Sequence, residues 1–169
     1  MVATFRLMHL AGRGRDRSAD SVDVPTEEGP ALRDAGATAT RVADDEARAT
    51  AAHARFSTEP LPVLVPDGTI SPHLAQGEAV HSLRARAILR APGGDHALGY
   101  GGTLYLTSRR LVHLGQVEMS VQLTDIVETS LAGERLLLGL RQGEGLSLDL
   151  DRPRELRAEL AAAMRETRG

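Results

Sequence analysis

The sequence of 169 residues contains no cysteine, lysine or tryptophan, and aromatic residues make up only 2% of it. The absence of cysteine excludes a disulfide framework, a thiolate nucleophile and a cysteine-based zinc site. The absence of lysine excludes any mechanism that needs a side-chain amine. With arginine as its one strongly basic residue type, the chain shows the coding bias of a GC-rich genome. An interior must therefore be filled by leucine, valine, alanine and isoleucine.

A strong net charge and a long apolar run are also missing. The formal net charge is −3, which excludes the strongly basic field of a non-specific nucleic-acid binder. The apolar runs are far shorter than the ~20 residues of a membrane-spanning helix. Arg6 and His9 interrupt the apolar residues at the start, so no signal peptide is expected. We expect no nucleic-acid partner, no transmembrane segment and a cytoplasmic location.

The first third of the chain has few large apolar residues. Residues 1–59, rich in Ala, Arg, Asp and Glu, are therefore expected to form a flexible tail, because burial would not offset the entropy of ordering them. Within this tail, the acids of residues 44–56 precede the arginines, which predicts a short helix. Its apolar face is almost all alanine, which favours a surface helix without a packing partner. Prolines in residues 60–77, here named the strap, predict an extended segment that docks on the domain after it.

From about residue 78 the apolar residues recur with period two. Short glycine-containing links separate the alternating segments, as in β-hairpins. We predict seven strands over residues 79–89, 103–107, 110–114, 117–123, 125–131, 135–141 and 145–149. After them, apolar residues at helical spacing predict an amphipathic helix that begins near Pro153 and is capped by Asp151. Its apolar stripe needs a sheet to cover it, so strands and helix form one domain.

Seven strands and a C-terminal helix are the element order of a pleckstrin-homology-like (PH-like) domain. The run from Gly102 to Gly115 resembles the strand-turn-strand signature of GRAM domains, a branch of that superfamily. The matching positions are Gly102, Leu104, Tyr105, Leu106, Thr107, Arg109 and Leu111. The resemblance, to bacterial members of the family, implies a GRAM/PH-like domain over residues 78–169. It implies a mainly β fold, a seven-stranded antiparallel barrel or sandwich capped by a helix, that binds lipid or protein without chemistry.

No catalytic or metal-binding pattern is present in the sequence. The six histidines show no pair at a metal-ligand spacing, and no nucleophile elbow, phosphate-binding loop or dinucleotide fingerprint occurs. His113 falls among apolar residues of a predicted strand, which favours a buried, hydrogen-bonded histidine. Solvation in the tail accounts for the neighbouring carboxylates Asp44 and Asp45. We therefore predict that the chain is not an enzyme and uses no cofactor or metal.

Arginines form the one candidate site. The arginine set consists of Arg84, Arg86 and Arg90 on the first strand and Arg109 and Arg110 at the next hairpin. These segments are neighbours in a PH-like barrel, so their guanidinium groups could hold the phosphates of an anionic headgroup. The competing interpretation is that Arg84 and Arg86 share the solvent-facing side of a strand and keep it soluble.

The sequence favours three functions, in this order. The first is a non-catalytic binding or adaptor module for a partner protein or peptide. The second is a membrane-surface module that binds anionic lipid headgroups through the arginine set, peripheral to the inner face of the membrane. The third is a small-molecule carrier, which is disfavoured because side chains fill the interior of a barrel with seven short strands.

Overall fold

The computed structural model describes residues 30–90, 99–142 and 145–168, with side chains from Gly36 onward. Its helices are α1 (Pro30–Phe56) and α2 (Pro153–Arg168), with short 3₁₀ turns at Ser71–His73 and Leu123–Asp125. Its strands are β1 (Val80–Arg90), β2 (Tyr100–Thr107), β3 (Arg110–Gly115), β4 (Met119–Gln122), β5 (Ile126–Ala132), β6 (Arg135–Leu140) and β7 (Leu146–Asp149). The predicted seven strands and C-terminal helix are confirmed. Residues 1–29 of the predicted tail lie outside the described residues.

The strands form one antiparallel sheet in the order β4-β3-β2-β1-β7-β6-β5. Strand β1 joins one half of the sheet, β4-β3-β2, to the other half, β7-β6-β5. It pairs with β2 over most of its length and with β7 only at Ile88–Arg90. The register with β2 shifts between Arg84 and Ala87, where Arg86 has a φ of 59°. Such a bulge bends a strand, which lets the two halves of the sheet face one another. The fold is mainly β and PH-like, as predicted.

Leucine side chains fill the space between the two halves of the sheet. The main core contains Leu104, Leu106, Leu111, Leu123, Leu136, Leu138 and Leu148 together with Leu156, Leu160, Ala162 and Ala163 of α2. Because α2 contributes its apolar stripe to the same core as the strands, sheet and helix stabilise each other. The main core is therefore aliphatic, as expected for a chain with so few aromatic residues.

The strap covers the outer face of the β2–β3 hairpin. Leu61 at its start belongs to the main core, and the amide of Leu64 donates to the carbonyl of Val80 at 2.8 Å. Ile70, which is fully buried, heads a second apolar group. The other members of that group are Val80, Tyr105, Val112 and Leu114. The hairpin is therefore apolar on both faces, with α2 and the main core on one side and the strap on the other.

Helix α1 extends well beyond the predicted short helix over residues 44–56, and it has a packing partner. Its half-buried or buried side chains alternate in steps of four and three: Thr38, Val42, Asp45, Ala49, Ala52 and Phe56. This spacing places them along one stripe, the α1–α2 seam, as in a coiled coil. Alanine-rich segments have high helix propensity, and α2 covers a stripe too weakly apolar to be recognised in the sequence.

The two helices run parallel. Asp45 contacts the first turn of α2, while the carbonyl of Phe56 accepts a hydrogen bond of 2.9 Å from Arg165 near its end. The prediction that Asp151 caps α2 is wrong, because the first free amides of α2 donate to Asp45 instead. Asp151 is exposed, and the residue that precedes α2 is Arg152, in a left-handed conformation with a φ of 57°.

Candidate functional site

Arg84, the first of the arginine set, binds α2. It lies 3.0 Å from a carboxylate oxygen of Glu159 and 3.6 Å from one of Glu155. Its side chain is only 14% exposed, because the register of β1 with β2 directs it towards the helix rather than towards solvent. Because the Arg84 side chain is largely buried, the two carboxylates compensate its charge. Arg84 thereby fixes α2 on the sheet.

Arg90 is likewise paired, with Asp149 of the adjacent strand β7 at 2.6 Å. Arg135 of β6 binds the same carboxylate, so that three neighbouring strands meet at one acid. Burial would raise the pKa of Asp149, but the hydrogen bonds from Arg135 and Arg90 outweigh it and lower that pKa. The carboxylate is therefore ionised and holds both arginines.

Arg110 binds Glu78, whose side chain is fully buried, at 2.9 Å. The hydroxyl of Thr107 donates to the same carboxylate at 2.6 Å, and the amide of Ala75 donates at 2.9 Å. Burial would raise the pKa of Glu78, but these hydrogen bonds outweigh it and lower the pKa to about 2. This ion pair fastens the end of the strap to the β2–β3 hairpin.

Arg86 and Arg109 are the remaining two of the set. A guanidinium nitrogen of Arg109 donates to the carbonyl of Gln76 at 3.3 Å. Arg86 is exposed and makes no hydrogen bond or ion pair with another residue that the structure describes. The structure thus places three of the five arginines in separate ion pairs and leaves two facing solvent. Headgroup binding by the set stays a prediction.

An open cleft of about 740 Å³ lies beneath the middle of α1. The bulge of β1, the β5–β6 turn and the start of α2 form its other walls. Its lining contains Arg41, Arg84, Arg86, Arg152 and Arg154, and also Asp44, Asp45, Glu134 and Asp151. Charges of both signs therefore face the cleft, so it has no preference for anions. Both left-handed non-glycine residues of the described chain, Arg86 and Arg152, line it.

The expectation that solvation accounts for Asp45 is wrong, because this acid is buried against the amino end of α2. It is 3% exposed, and its two oxygens accept hydrogen bonds from the amides of Arg154 at 2.9 Å and Glu155 at 3.0 Å. The guanidinium group of Arg154 lies 3.6 Å from Asp45 and 3.0 Å from Glu46. An acid thus closes the amino end of a helix that follows it by more than one hundred residues. The four-three spacing of Val42, Asp45, Ala49, Ala52 and Phe56 was the available signal.

Strand β5 lies at one end of the sheet. Its strand partner is β6, and its other edge has no strand partner among residues 30–90, 99–142 and 145–168. Helix α2 packs beside β5 and beside the 3₁₀ turn that precedes it. Val127 on this strand is 55% exposed. At the start of β5 the carbonyl of Ile126 accepts a hydrogen bond of 3.5 Å from Arg168 of α2. A sheet edge without a second strand partner and with a helix next to it can accept an extended peptide as one more strand.

His113 is fully buried, as the sequence predicted. One ring nitrogen lies 2.9 Å from the carbonyl of Val117 and the other 3.4 Å from the carbonyl of Ala87. The imidazole therefore links β3 to the chain before β4 and to β1. Within the described ranges, no group of three or more His, Asp or Glu side chains is placed to hold a metal ion.

The seven antiparallel strands and the C-terminal helix define a PH-like fold. Neither described helix is long and apolar enough to cross a membrane.

Two solved structures are similar to this chain at low sequence identity. The Vps36 N-terminal PH domain has a TM-score of 0.48 and 16% identity, covering 62% of this chain and 92% of that one. The C-terminal domain of an unknown protein from Leishmania infantum has a TM-score of 0.45 and 12% identity, covering 53% and 86% respectively. No protein-family model and no curated protein matches the chain.

Proposed function

We propose that the chain is a non-catalytic binding or adaptor module that recognises an extended segment of a partner protein along the edge of β5. The observation that carries this proposal is the combination at β5 of an unpaired sheet edge, the exposed side chain of Val127 and the adjacent helix α2. Backbone hydrogen bonds along such an edge supply affinity, and side chains that alternate beside it supply selectivity.

The chemistry of β5 favours a basic segment. Glu128 is exposed on this strand, at a register shift against β6. An exposed charge on an edge strand discourages two copies of that strand from pairing, because the like charges would meet. An irregular register at the edge acts in the same direction, because it disturbs the regular ladder that pairing requires. A partner with Arg or Lys opposite Glu128 avoids that repulsion. The edge therefore selects a different protein over a second copy of this chain.

The full-length chain tests this proposal through peptide selection. Peptides enriched from a random library on the immobilised chain are expected to carry a basic residue within an apolar stretch. In hydrogen exchange they should protect the amides of β5. Replacement of Val127 by Asp should weaken their binding by about tenfold or more, since it removes apolar contact and adds repulsion. The matched control is Val117→Asp, at a 37% exposed valine between β3 and β4. Peptides that protect another surface, or that bind the Val127 variant equally well, would disprove the assignment.

A second candidate function is the binding of anionic lipid headgroups, which the solvent-facing Arg86 and Arg109 favour. Neither is paired with a carboxylate among the described residues, so both can bind phosphate with little loss of internal contacts. Arg84, Arg90 and Arg110 would have to leave the partly buried carboxylates that pair with them, which is costly. For this reason the protein partner ranks first.

Co-sedimentation with vesicles separates the two functions. A lipid-binding module should pellet with anionic vesicles at low salt, and less at physiological salt, because its contacts are electrostatic. Changing both Arg86 and Arg109 to Glu should then abolish pelleting. Changing the exposed Arg141 and Arg157 to Glu gives the same change of net charge at other surfaces and serves as the control. Equal pelleting of both double variants would exclude a site at Arg86 and Arg109.

A further inference from the structure

The contact between α1 and α2 is small in its apolar part. The α1–α2 seam offers mainly Thr38, Ala49 and Ala52, with Val42 and Phe56 as its larger apolar side chains. Burial of an alanine methyl group removes little apolar area from water, so this seam contributes far less than a leucine seam of equal length. The stability of the contact therefore depends strongly on its polar end.

That polar end is an occupied carboxylate site. The amides of Arg154 and Glu155 and the guanidinium group of Arg154 converge on Asp45, which is almost fully buried between the helices. The amino end of a helix carries free N–H groups and a partial positive charge, both of which favour an anion. Here the anion comes from a different element, so the amino end of α2 recognises an acid that is not part of its own helix.

The short segment that connects α1 to the strap, here named the hinge, is exposed. Residues 57–59, which form it, are all exposed, whereas Leu61 is anchored in the main core. Exposed connections with few buried contacts are where local opening costs least. Detachment of α1 up to this hinge would withdraw Phe56 from the edge of the main core but leave Leu61 and the sheet in place.

Removal of α1 would uncover a positively charged surface. Arg154 would lose both of its carboxylates, Asp45 and Glu46, and Arg165 would lose the carbonyl of Phe56. The nearby acids Glu155 and Glu159 would stay engaged with Arg84. The uncovered face of α2 thus presents free backbone amides and two unpaired guanidinium groups, to which an acidic segment is complementary.

We propose that the amino end of α2 is a docking site for an acidic helix of a partner protein, and that α1 occupies this site in the free chain as an intramolecular competitor. The partner helix would carry an Asp-Glu pair in place of Asp45 and Glu46 and small residues along its contact stripe. This site and its occupant are distinct from the β5 edge. The regulation of access by α1 can therefore be correct even if β5 binds nothing.

The full-length Asp45→Ala variant tests the proposal. Hydrogen exchange is expected to show faster exchange along α1 in this variant than in the wild-type chain, with unchanged exchange in the main core. The probe is a fluorescein-labelled peptide with the sequence of residues 30–59, whose binding is followed by anisotropy. We expect it to bind the variant at least about tenfold more tightly than the wild type, because the wild-type site is already filled. Added salt should weaken this binding.

Controls distinguish this site from a general loss of structure. Asp44→Ala removes the neighbouring acid, which pairs only within α1 with Arg48, and should leave both exchange and peptide binding as in the wild type. The probe with Asp45 changed to Ala should not bind. The Asp45→Asn variant, which keeps the side-chain shape, replaces Asp45→Ala if that chain does not fold.

Three results would overturn the proposal. One is an α1 that stays protected in both Asp45 variants, and another is a released α1 with no peptide bound. The third is a wild-type dimer in light scattering whose formation requires Asp45, because the site would then be filled by α1 of a second copy and not by a partner protein.

Discussion

The imidazole ring of His113 lies against Gly102, where an added Cβ would stand 2.7 Å from its Nε2. The same Cβ would stand 2.5 Å from the carbonyl oxygen of Leu114. Only a residue without a side chain fits between this fully buried ring and the backbone of the paired strand. The glycine that opens the strand signature in the sequence is therefore a packing requirement of the β2–β3 hairpin.

Gly102→Ala should destabilise the domain by about 3 kcal/mol, because the clash involves backbone and cannot be relieved by a side-chain rotation. Urea unfolding followed by circular dichroism measures the loss. Gly101→Ala is the matched control, since a Cβ on Gly101 meets no atom within 4 Å, and it should have little effect. Equal losses in the two variants would contradict the packing role of Gly102.

Glu78→Gln should cost about 3 kcal/mol at neutral pH, because it leaves the charge of Arg110 without its buried partner. The pKa of Glu78 is lowered from 4.5 to about 2, so its stabilising effect is complete above pH 4.5 and is lost as the pH falls to about 2. The difference in unfolding free energy between wild type and variant should shrink over that range. Glu118→Gln, at an exposed acid, is the control and should change the unfolding free energy little at neutral pH.

Arg86→Gly and Arg84→Gly, two residues apart on β1, should differ in their effect on the stability of the domain. Arg86 has a φ of 59°, which costs an L-residue about 1 kcal/mol and glycine almost nothing, so its replacement should be neutral or slightly stabilising. Arg84→Gly leaves Glu159 without its cation and Glu155 with Arg152 alone, and should cost about 3 kcal/mol. Thermal melts of both variants provide the comparison, and a destabilised Arg86→Gly chain would argue that its side chain has a partner.

Ile70→Ala should cost about 3 kcal/mol, because the side chain is fully buried between the strap and the β2–β3 hairpin. It should also make the strap more sensitive to limited proteolysis. Val65→Ala, in the same segment but 94% exposed, is the control and should change neither property. Unchanged proteolysis of the Ile70 variant would mean that the strap is held mainly by its polar contacts.

The strands and α2 were predictable because their signals are local. Alternation around Leu104 and Leu106, and helical spacing at Leu156 and Leu160, depend on neighbours within a few residues. Glycine-containing links then placed the strand ends. Each of these features is encoded where it occurs in the chain, so one sequence was enough to obtain the architecture.

Contacts between distant segments were not predictable. The pairing of Arg84 with Glu159 joins residues 75 apart, and the hydrogen bond from the Arg154 amide to Asp45 joins residues 109 apart. Period-two alternation placed Arg84 on one side of its strand but could not show that α2 would bring carboxylates to that side. A short helix was predicted within α1, but its full length and its packing against α2 were missed for the same reason, since the alanine stripe is recognisable as a contact surface only beside α2.

The strap, finally, affects how the domain can be isolated. The change in sequence pattern at residue 78 suggests a natural place to begin a minimal fragment. Such a fragment would lack Ile70 and so expose Tyr105, Val112 and Leu114 as one contiguous apolar patch on the hairpin. Surfaces of this kind promote aggregation. The shortest fragment that stays monodisperse should therefore include Ile70, and also Leu61, which belongs to the main core. The solubility of the domain would thus depend on a segment that precedes all of its strands.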